Sequence, residues 1–553
     1  MVRASGLFVL AFGLLWVAGC GNDGAERQLS SSPQAVGDQP AEELRYEFET
    51  TPPAATRAPP PPALDVDAAP AVVELSEFGE QTAPRKDLLN SLGSIPGQGI
   101  AGRSEPQPGY GTGPGNPGDK FSHLTENDFQ AVKDSPLSTF SIDVDTASYA
   151  KTRMFLLERQ TLPPADAVRI EDLINYFDYD YAGPADDKPF AVHLETAECP
   201  WQPKHRLVRC ALQAKKLHGD RPASNLVFLI DVSGSMAPPN RLPLVQLSLA
   251  QLVRQLGAND RVSIVVYAGA AGQILPATSG QEHATILTAI NGLNASGSTN
   301  GGQGIQLAYQ LAQQNFLKGG VNRVILCTDG DFNVGVTGTG DLVRMAKEKA
   351  DQGIYLSVLG FGMGNHNDAM LEELSNKANG NYAFIDSDAE ARKVFVEQLE
   401  GTLVTIAKDV KIQVEFNPAQ VAAYRLIGYE NRQLAARDFN DDKKDAGDIG
   451  AGHRVTALYE LIPAGVASDF TQPAVDPLKY QGVEEKAKQP AELADAARSG
   501  ELLTLKLRYQ PPAGGASTLL TYPVKDSGQG FAAATKDFQF AAAVASFGML
   551  LRD

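Results

Sequence analysis

Two hydrophobic periodicities alternate along residues 222–407. Residues 226–230 form a continuous apolar run, the mark of a strand buried on both faces. Val245, Leu249, Leu252, Val253 and Leu256 then recur at helical spacing, and a β-branched strand over 261–267 follows the turn pair Asn259-Asp260. A helix over 284–293 leads through a glycine-rich loop to a second apolar helix face of Ile305, Leu307, Ala308, Leu311 and Ala312. The pattern continues with a strand over 324–328, a helix over 342–350, a strand over 354–361 and a helix over 370–378. A short strand over 382–385 and one long helix over 389–406 complete it. Such alternation predicts an α/β fold, a doubly wound and mostly parallel sheet with helices on both faces. The flanks follow a period of two instead. Phe190, Val192 and Leu194, then Val208, Cys210 and Leu212, alternate with other residues before the α/β segment. After it, Val410, Ile412, Val414 and Phe416 alternate with Lys411, Gln413 and Glu415, and Leu503, Leu505, Leu507 and Tyr509 with Thr504, Lys506 and Arg508. Each run reads as a strand with one wet face. Together the β-rich flanks predict one β-sandwich with the α/β domain inserted between its halves. A last helix carries Phe540, Val544, Phe547 and Leu551 as its apolar face.

The first apolar run stops at Asp231-Val232-Ser233-Gly234-Ser235. That places a carboxylate and two hydroxyls beyond the C-terminal tip of a strand, where open α/β sheets bind ligands. Hard oxygen donors of this kind suit Mg²⁺ or Mn²⁺. Two further loops at the same edge carry Gly297-Ser298-Thr299-Asn300 and, after the strand over 324–328, Asp329-Gly330. In this order and at these element ends, the three loops resemble the metal-ion-dependent adhesion site of the von Willebrand factor A (vWA) family. The resemblance implies that Asp231, Ser233, Ser235, Thr299 and Asp329 surround Mg²⁺ (or Mn²⁺). It also implies that an open coordination position accepts an Asp or Glu of a protein ligand, and that the protein is not an enzyme. Helix and turn capping alone would not demand all five residues. A dinucleotide site lacks its G-x-G-x-x-G at the first strand–helix turn. A serine hydrolase reading of Ser233 or Ser235 lacks G-x-S-x-G and any triad context for the seven histidines.

The flanks extend the resemblance over roughly residues 120–553, to a bacterial lipoprotein subfamily of vWA proteins with extra N- and C-terminal modules. Residues 136–149 and 162–177 are similar to its N-terminal module, and 407–418 with 424–431 to its C-terminal module. Relatives continue further, so the chain reads as shortened at its end. The division expected is a signal peptide over 1–19, a tether over 20–119, an N-terminal module over 120–221, the vWA domain over 222–407 and a C-terminal module over 408–553.

The N-terminus bears on where the protein works. Arg3, an apolar stretch over 7–17 and then Val17-Ala18-Gly19-Cys20 have the layout of a secretory signal whose end resembles the bacterial lipobox. Cleavage before Cys20 and acylation of its thiol would anchor the chain to a membrane of the cell envelope. Gly21, rather than an aspartate, favours the periplasmic face of the outer membrane or the cell surface. Residues 20–119 are rich in Pro, Gly and Ala and have few apolar clusters, as in a flexible tether spanning on the order of 55 Å. A net charge of -18 argues against nucleic acid as a partner. Of the four cysteines, Cys327 falls in a core strand, while Cys199 and Cys210 flank a Pro-Trp-Gln-Pro turn as a candidate disulfide. Asp145 reads as a helix N-cap, and the acidic run from Asp438 to Asp448 as a solvated loop. An alternative within the same family reading is an assembly or chaperone factor for envelope complexes.

Overall fold

The computed structural model describes residues 118–553 except 143–144, 218–220, 333–338, 365, 445, 469 and 471–492. The expected signal peptide, Cys20 and all but the last residues of the expected tether lie outside the described residues. Strands β1 (Gln130–Ala131), β2 (Leu137–Ser141), β3 (Phe190–Cys199) and β4 (Gln202–Ala214) come first, with helices α1 (Ala147–Leu157) and α2 (Ile170–Tyr176) among them. The central unit follows: β5 (Ser224–Asp231), α3 (Leu242–Val253), β6 (Arg261–Tyr267), β7 (Ala271–Ser279), α4 (His283–Asn291) and α5 (Gly301–Gln314). It continues through β8 (Val321–Thr328), α6 (Thr339–Asp351), β9 (Tyr355–Phe361), α7 (Asp368–Lys377) and β10 (Tyr382–Ile385) to α8 (Asp388–Arg392) and α9 (Leu399–Leu403). The last part holds β11 (Thr405–Phe416), β12 (Val421–Ile427), β13 (Gly447–Gly450), β14 (Arg454–Pro463), β15 (Glu501–Gln510), β16 (Thr518–Lys525) and α10 (Lys536–Arg552).

The central sheet has the order β10-β9-β8-β5-β6-β7, parallel except for β7. Alternate residues of β5 enter two different cores, which is why its run is apolar throughout. Leu226, Phe228 and Ile230 pack with α3 and α4, while Val227 and Leu229 pack with α5, α6 and α7. The second core also takes Ala147, Ala150 and Met154 of α1, so the chain before β5 helps to bury the central sheet. Strand β7 lacks the apolar signal because it is an exposed antiparallel edge, where Pro276 is tolerated. The long helix expected over 389–406 is broken into α8, a π-turn over Lys393–Glu397 and α9, and residues 405–406 already belong to β11. Such one-turn π segments interrupt the helical ladder without changing the apolar pattern on which the expectation rested.

Two antiparallel sheets, β1-β12-β14-β4-β3 and β13-β11-β15-β16 with β2 on β11, face each other across a shared apolar core. Ile412, Val414 and Phe416 stand opposite Leu507, Leu505 and Leu503 in register, and Val208, Cys210 and Leu212 enter from the other sheet. The sandwich is therefore built from both flanks, with the α/β unit inserted between them. Helices α2 and α10 cover the outer face of the first sheet. The face of α10 that docks is Phe538, Ala541, Ala542 and Ala545, whereas Phe540 and Phe547 are exposed. On β11 the polar face is wet only at Glu415, while Lys411 and Gln413 are buried, with Lys411 Nζ on the Asp441 carbonyl (2.7 Å) and Gln413 Nε2 on Thr139 (2.9 Å). The segment over 433–442 folds across it, and the Asp441 and Ala436 carbonyls it brings accept from the buried Lys411 amine and Gln413 amide.

The candidate disulfide is not formed. Cys199 and Cys210 are both free and buried. Cys210 pairs with Leu194, five residues along β3 from Cys199, so ~16 Å of strand separates them. They also lie on opposite faces of the sheet, in different cores. A disulfide needs Cα atoms within ~7 Å, so the hairpin register forbids it.

Glu171 of α2 is a second buried polar feature that the pattern did not announce. It is 1 % exposed, and no side chain among the described residues donates to its carboxylate. Burial, aided by the Glu430 charge, pushes its pKa from 4.5 up to about 7. Between these values the unfolded chain releases the proton before the folded one does, so stability falls as pH rises from about 4.5 to 7 and is level above it. Glu171→Gln should remove that slope and raise stability at pH 8 by up to ~3 kcal/mol. Urea unfolding of both chains at pH 5 and pH 8 measures it, and an unchanged slope in the variant would refute the assignment.

Candidate functional site

The five residues singled out lie on loops at the C-terminal edge of the central sheet. Strand β5 ends at Asp231, which is fully buried. Its Oδ1 accepts the Ser233 backbone N–H (2.9 Å), a local turn that holds the next residues over the edge. Ser233 Oγ and Ser235 Oγ stand 3.0 Å apart. Two backbone hydrogen bonds clamp this loop to the one that carries the threonine: Ser296 N–H to the Val232 carbonyl (2.7 Å) and Gly234 N–H to the Gly297 carbonyl (3.0 Å). Gly297 makes the turn with a φ of 82°, a left-handed backbone that favours glycine. Thr299 follows, half-buried, just before α5. Asp329 begins the third loop directly after β8 and is 2 % exposed.

Arg241, just before α3, joins the first loop to the third. Its Nη1 donates to the Ser235 carbonyl (2.8 Å) and to Asp329 Oδ2 (2.5 Å), and its Nη2 to the Met363 carbonyl (3.2 Å). One of the two carboxylates is thus partly neutralised by the chain itself. The other is not. Asp231 Oδ2 is buried without a hydrogen-bond partner. Burial pushes the Asp231 carboxyl up to about 6, and the Asp231 charge in turn helps burial to raise the Tyr267 hydroxyl well above its usual range. A buried carboxylate oxygen left bare is costly, and a cation is the partner that relieves it. With the Ser233 and Ser235 hydroxyls on the same loop and Thr299 on the loop clamped to it, this donor set fits a hard divalent ion.

Beneath Asp329 lies a residue that no motif announced. His366 is fully buried, with Nδ1 3.1 Å from the Asp329 carbonyl oxygen and Nε2 2.7 Å from the Tyr382 hydroxyl. Burial, then the Lys151 charge, lowers its pKa to about 3, so the ring stays neutral. The ring fits only because Gly330 has no side chain: its φ is 94°, and a Cβ there would meet His366 Nδ1 at 2.3 Å. The glycine after Asp329 was the available signal, since it implies close approach by something. Asp119, at the end of the expected tether, reaches the same loop and accepts the backbone N–H groups of Gly364 (2.8 Å) and His366 (3.0 Å).

Tyr382 connects this floor to a buried ionic cluster, its hydroxyl lying 2.7 Å from Asp368 Oδ1. Lys151 of α1 binds the same carboxylate. Arg169, just before α2, reaches Asp368 (2.7 Å), Glu372 (3.1 Å) and Asp172 (3.0 Å). Arg432, after β12, reaches Glu372 and Asp145, each at 3.0 Å. Burial alone would raise Asp368, but the Lys151 and Arg169 charges outweigh it and hold its carboxyl well below the usual range. Asp145 is not the helix cap expected. Thr146 precedes α1 without a side-chain cap, and Asp145 instead accepts the Tyr382 N–H (2.8 Å) and binds Arg432. In the acidic run, Asp442 binds Arg508 (2.9 Å) and Ser517 (2.8 Å) on the neighbouring strands' side.

Comparison with known proteins bears on what these loops belong to. The family model described as von Willebrand factor type A domain matches residues 225–399. A further von Willebrand factor model matches 116–209, and the model for the C-terminal region of YfbK, an uncharacterized protein, matches 401–553. The chain is 44 % identical over 446 residues to the uncharacterized protein YfbK of Escherichia coli (strain K12), covering 79 % of this chain and 75 % of that one. It is 27 % identical over 192 residues to the human inter-alpha-trypsin inhibitor heavy chain H4, covering 33 % of this chain and 20 % of that one. Among solved structures, a von Willebrand factor type A protein from Catenulispora acidiphila aligns over 74 % of this chain and 75 % of its own, at 15 % identity and a TM-score of 0.35.

Proposed function

Because the chain belongs to the family of von Willebrand factor type A proteins that carry the YfbK C-terminal region, we propose that it is a membrane-tethered binding protein with a divalent-cation adhesion site for a partner's carboxylate. Domains of this type typically mediate protein–protein interaction or adhesion. The observation that carries the metal-dependent reading is the buried, unpartnered Oδ2 of Asp231, set among the hydroxyls of Ser233 and Ser235. Asp231 and Asp329 would supply charge, and Ser233, Ser235 and Thr299 neutral oxygens, to Mg²⁺ or Mn²⁺. Bound among so few charges, the ion supplies an electrophilic position for an Asp or Glu oxygen of the partner. The chain's own part is to hold the loops: the backbone clamp orients the two serines, Arg241 fixes Asp329, and His366 fills the space below.

Binding rather than turnover is supported by the serines' surroundings. The hydrogen-bond partner of Ser233 Oγ is Ser235 Oγ, and both ring nitrogens of His366 are committed elsewhere, so among the described residues no histidine serves either hydroxyl as a general base. Anchoring rests on Cys20 in its lipobox-like setting, and points to the outer membrane's periplasmic face or the cell surface. The test is calorimetric titration of Mg²⁺ and Mn²⁺ into the full-length protein, beside membrane fractionation of wild type and Cys20→Ala. One saturable site, and release of the variant into the soluble fraction, are expected. No saturable heat with either ion would reject the metal site, and unchanged membrane retention of the variant would reject the anchor.

A further inference from the structure

A polar cavity of about 270 Å³ opens where the central unit meets the C-terminal flank, and its walls include Arg323, Asn376, Lys377, Asn381, Lys444 and Asp448. It is not part of the adhesion site. Arg323 lies near the start of β8 and Asp329 just past its end, six residues or roughly 20 Å along the strand. Arg323 is 2 % exposed. Among the described residues it forms no ion pair: Nη1 donates to Ser357 Oγ (2.7 Å), the guanidinium lies over the Tyr355 ring at 5.5 Å, and Nε has no partner. Asn376 lines the cavity with a side-chain amide whose NH2 group is a donor. Burial pulls the Arg323 pKa down only to about 10, so the guanidinium stays charged at neutral pH. The Asp448 carboxylate offsets this buried charge only in part, without pairing with it, and an anion in the cavity would offset the rest.

We propose that this cavity binds a small multivalent oxyanion of the phosphate type. The planar fork of Arg323 suits a tetrahedral oxyanion, which it can meet with two parallel N–H donors. Lys377 and Lys444 stand at the exposed side of the cavity, where they attract and close over an anion. In a chain of net charge -18, a cavity whose named walls carry three cations against Asp448 runs against the overall balance. The space exceeds that of a single water severalfold, so a phosphate ester fits as well as the free ion.

The test is thermal unfolding of the full-length protein in inorganic phosphate, glycerol phosphate, citrate, or sodium chloride of matched ionic strength. A saturable rise of a few degrees in phosphate, absent in chloride, is expected. A response to inorganic phosphate alone assigns the free ion, and a stronger one to glycerol phosphate assigns an ester. Arg323→Met should abolish the rise while unfolding, without anion, at a temperature no lower than wild type, because it removes a buried charge that Asp448 offsets only in part. Lys377→Gln with Lys444→Gln, both at exposed positions, should keep the fold and weaken phosphate binding severalfold. An equal rise in chloride, a rise in citrate only, or an Arg323→Met variant that keeps the phosphate response would overturn the proposal.

Discussion

Asp231→Asn is expected to abolish Mg²⁺ binding and, in the absence of divalent ions, to make the protein more stable. Both effects have one origin. Asn keeps the acceptor for the Ser233 N–H, but it replaces a buried charged oxygen that has no hydrogen-bond partner. Relief of that desolvation should add ~1–3 kcal/mol to the ion-free protein. Saturating Mg²⁺ should reverse the order. At a hundred times its dissociation constant, an ion that binds only the folded chain stabilises it by about 2.7 kcal/mol, and the variant should gain none of this. Affinity for the ion should fall by more than ~100-fold, since even supporting residues around metal sites cost up to that much. Urea unfolding of both chains with EDTA and with Mg²⁺ gives all four numbers. If the variant is the less stable chain in EDTA, Asp231 holds the loop together and the metal-dependent reading fails.

The legibility of this site and its surroundings differed for physical reasons. The placement of Asp231, Ser233, Ser235, Thr299 and Asp329 on loops at one sheet edge was legible because each lies at or just past an element end, and the run over 226–230 placed β5 without ambiguity. Arg241 could not be read, since a lone arginine before a helix says nothing about which carboxylate it will meet 88 residues later. His366 was equally silent, although Gly330 and Gly360 mark the two places where its ring passes too near the backbone for a Cβ. The flanking strands were legible from their period, but not which polar face would be covered. Lys411 looked solvated because alternation reports the pleat, whereas the segment over 433–442 that buries it comes from another part of the chain. Cysteine spacing misled for the same reason: a turn between Cys199 and Cys210 suggests proximity, and only the register pairing Cys210 with Leu194 denies it. The π-turn over Lys393–Glu397 leaves no trace in an apolar pattern that reads as one helix.

Arg169→Met should cost the protein about 3–5 kcal/mol, the loss expected when one partner leaves a buried ionic cluster. The guanidinium serves three carboxylates at once, Asp172, Asp368 and Glu372, and all four groups are nearly fully buried. Without it, Lys151 remains for Asp368 and Arg432 for Glu372, but Asp172 loses the only cation bound to it among the described residues. A single network also predicts non-additivity. Arg169→Met and Arg432→Met share Glu372, so the double variant should differ from the sum of the singles by about 0.5–3 kcal/mol. Denaturant unfolding of the four chains measures this cycle. Additive losses below ~1 kcal/mol each would show that the cluster is a set of independent contacts. The cluster matters to the site above it through its members' positions. Arg169 and Lys151 come from the chain before β5, Asp368 and Glu372 from α7 and Arg432 from the chain after β12, while Tyr382 links Asp368 to His366 below Asp329. The inserted unit is thereby held to both halves of the sandwich by charges that cannot separate without leaving one another bare. Loosening that seat should therefore be felt at Asp329 through His366, so that Arg169→Met weakens Mg²⁺ binding although Arg169 touches none of the five proposed ligands.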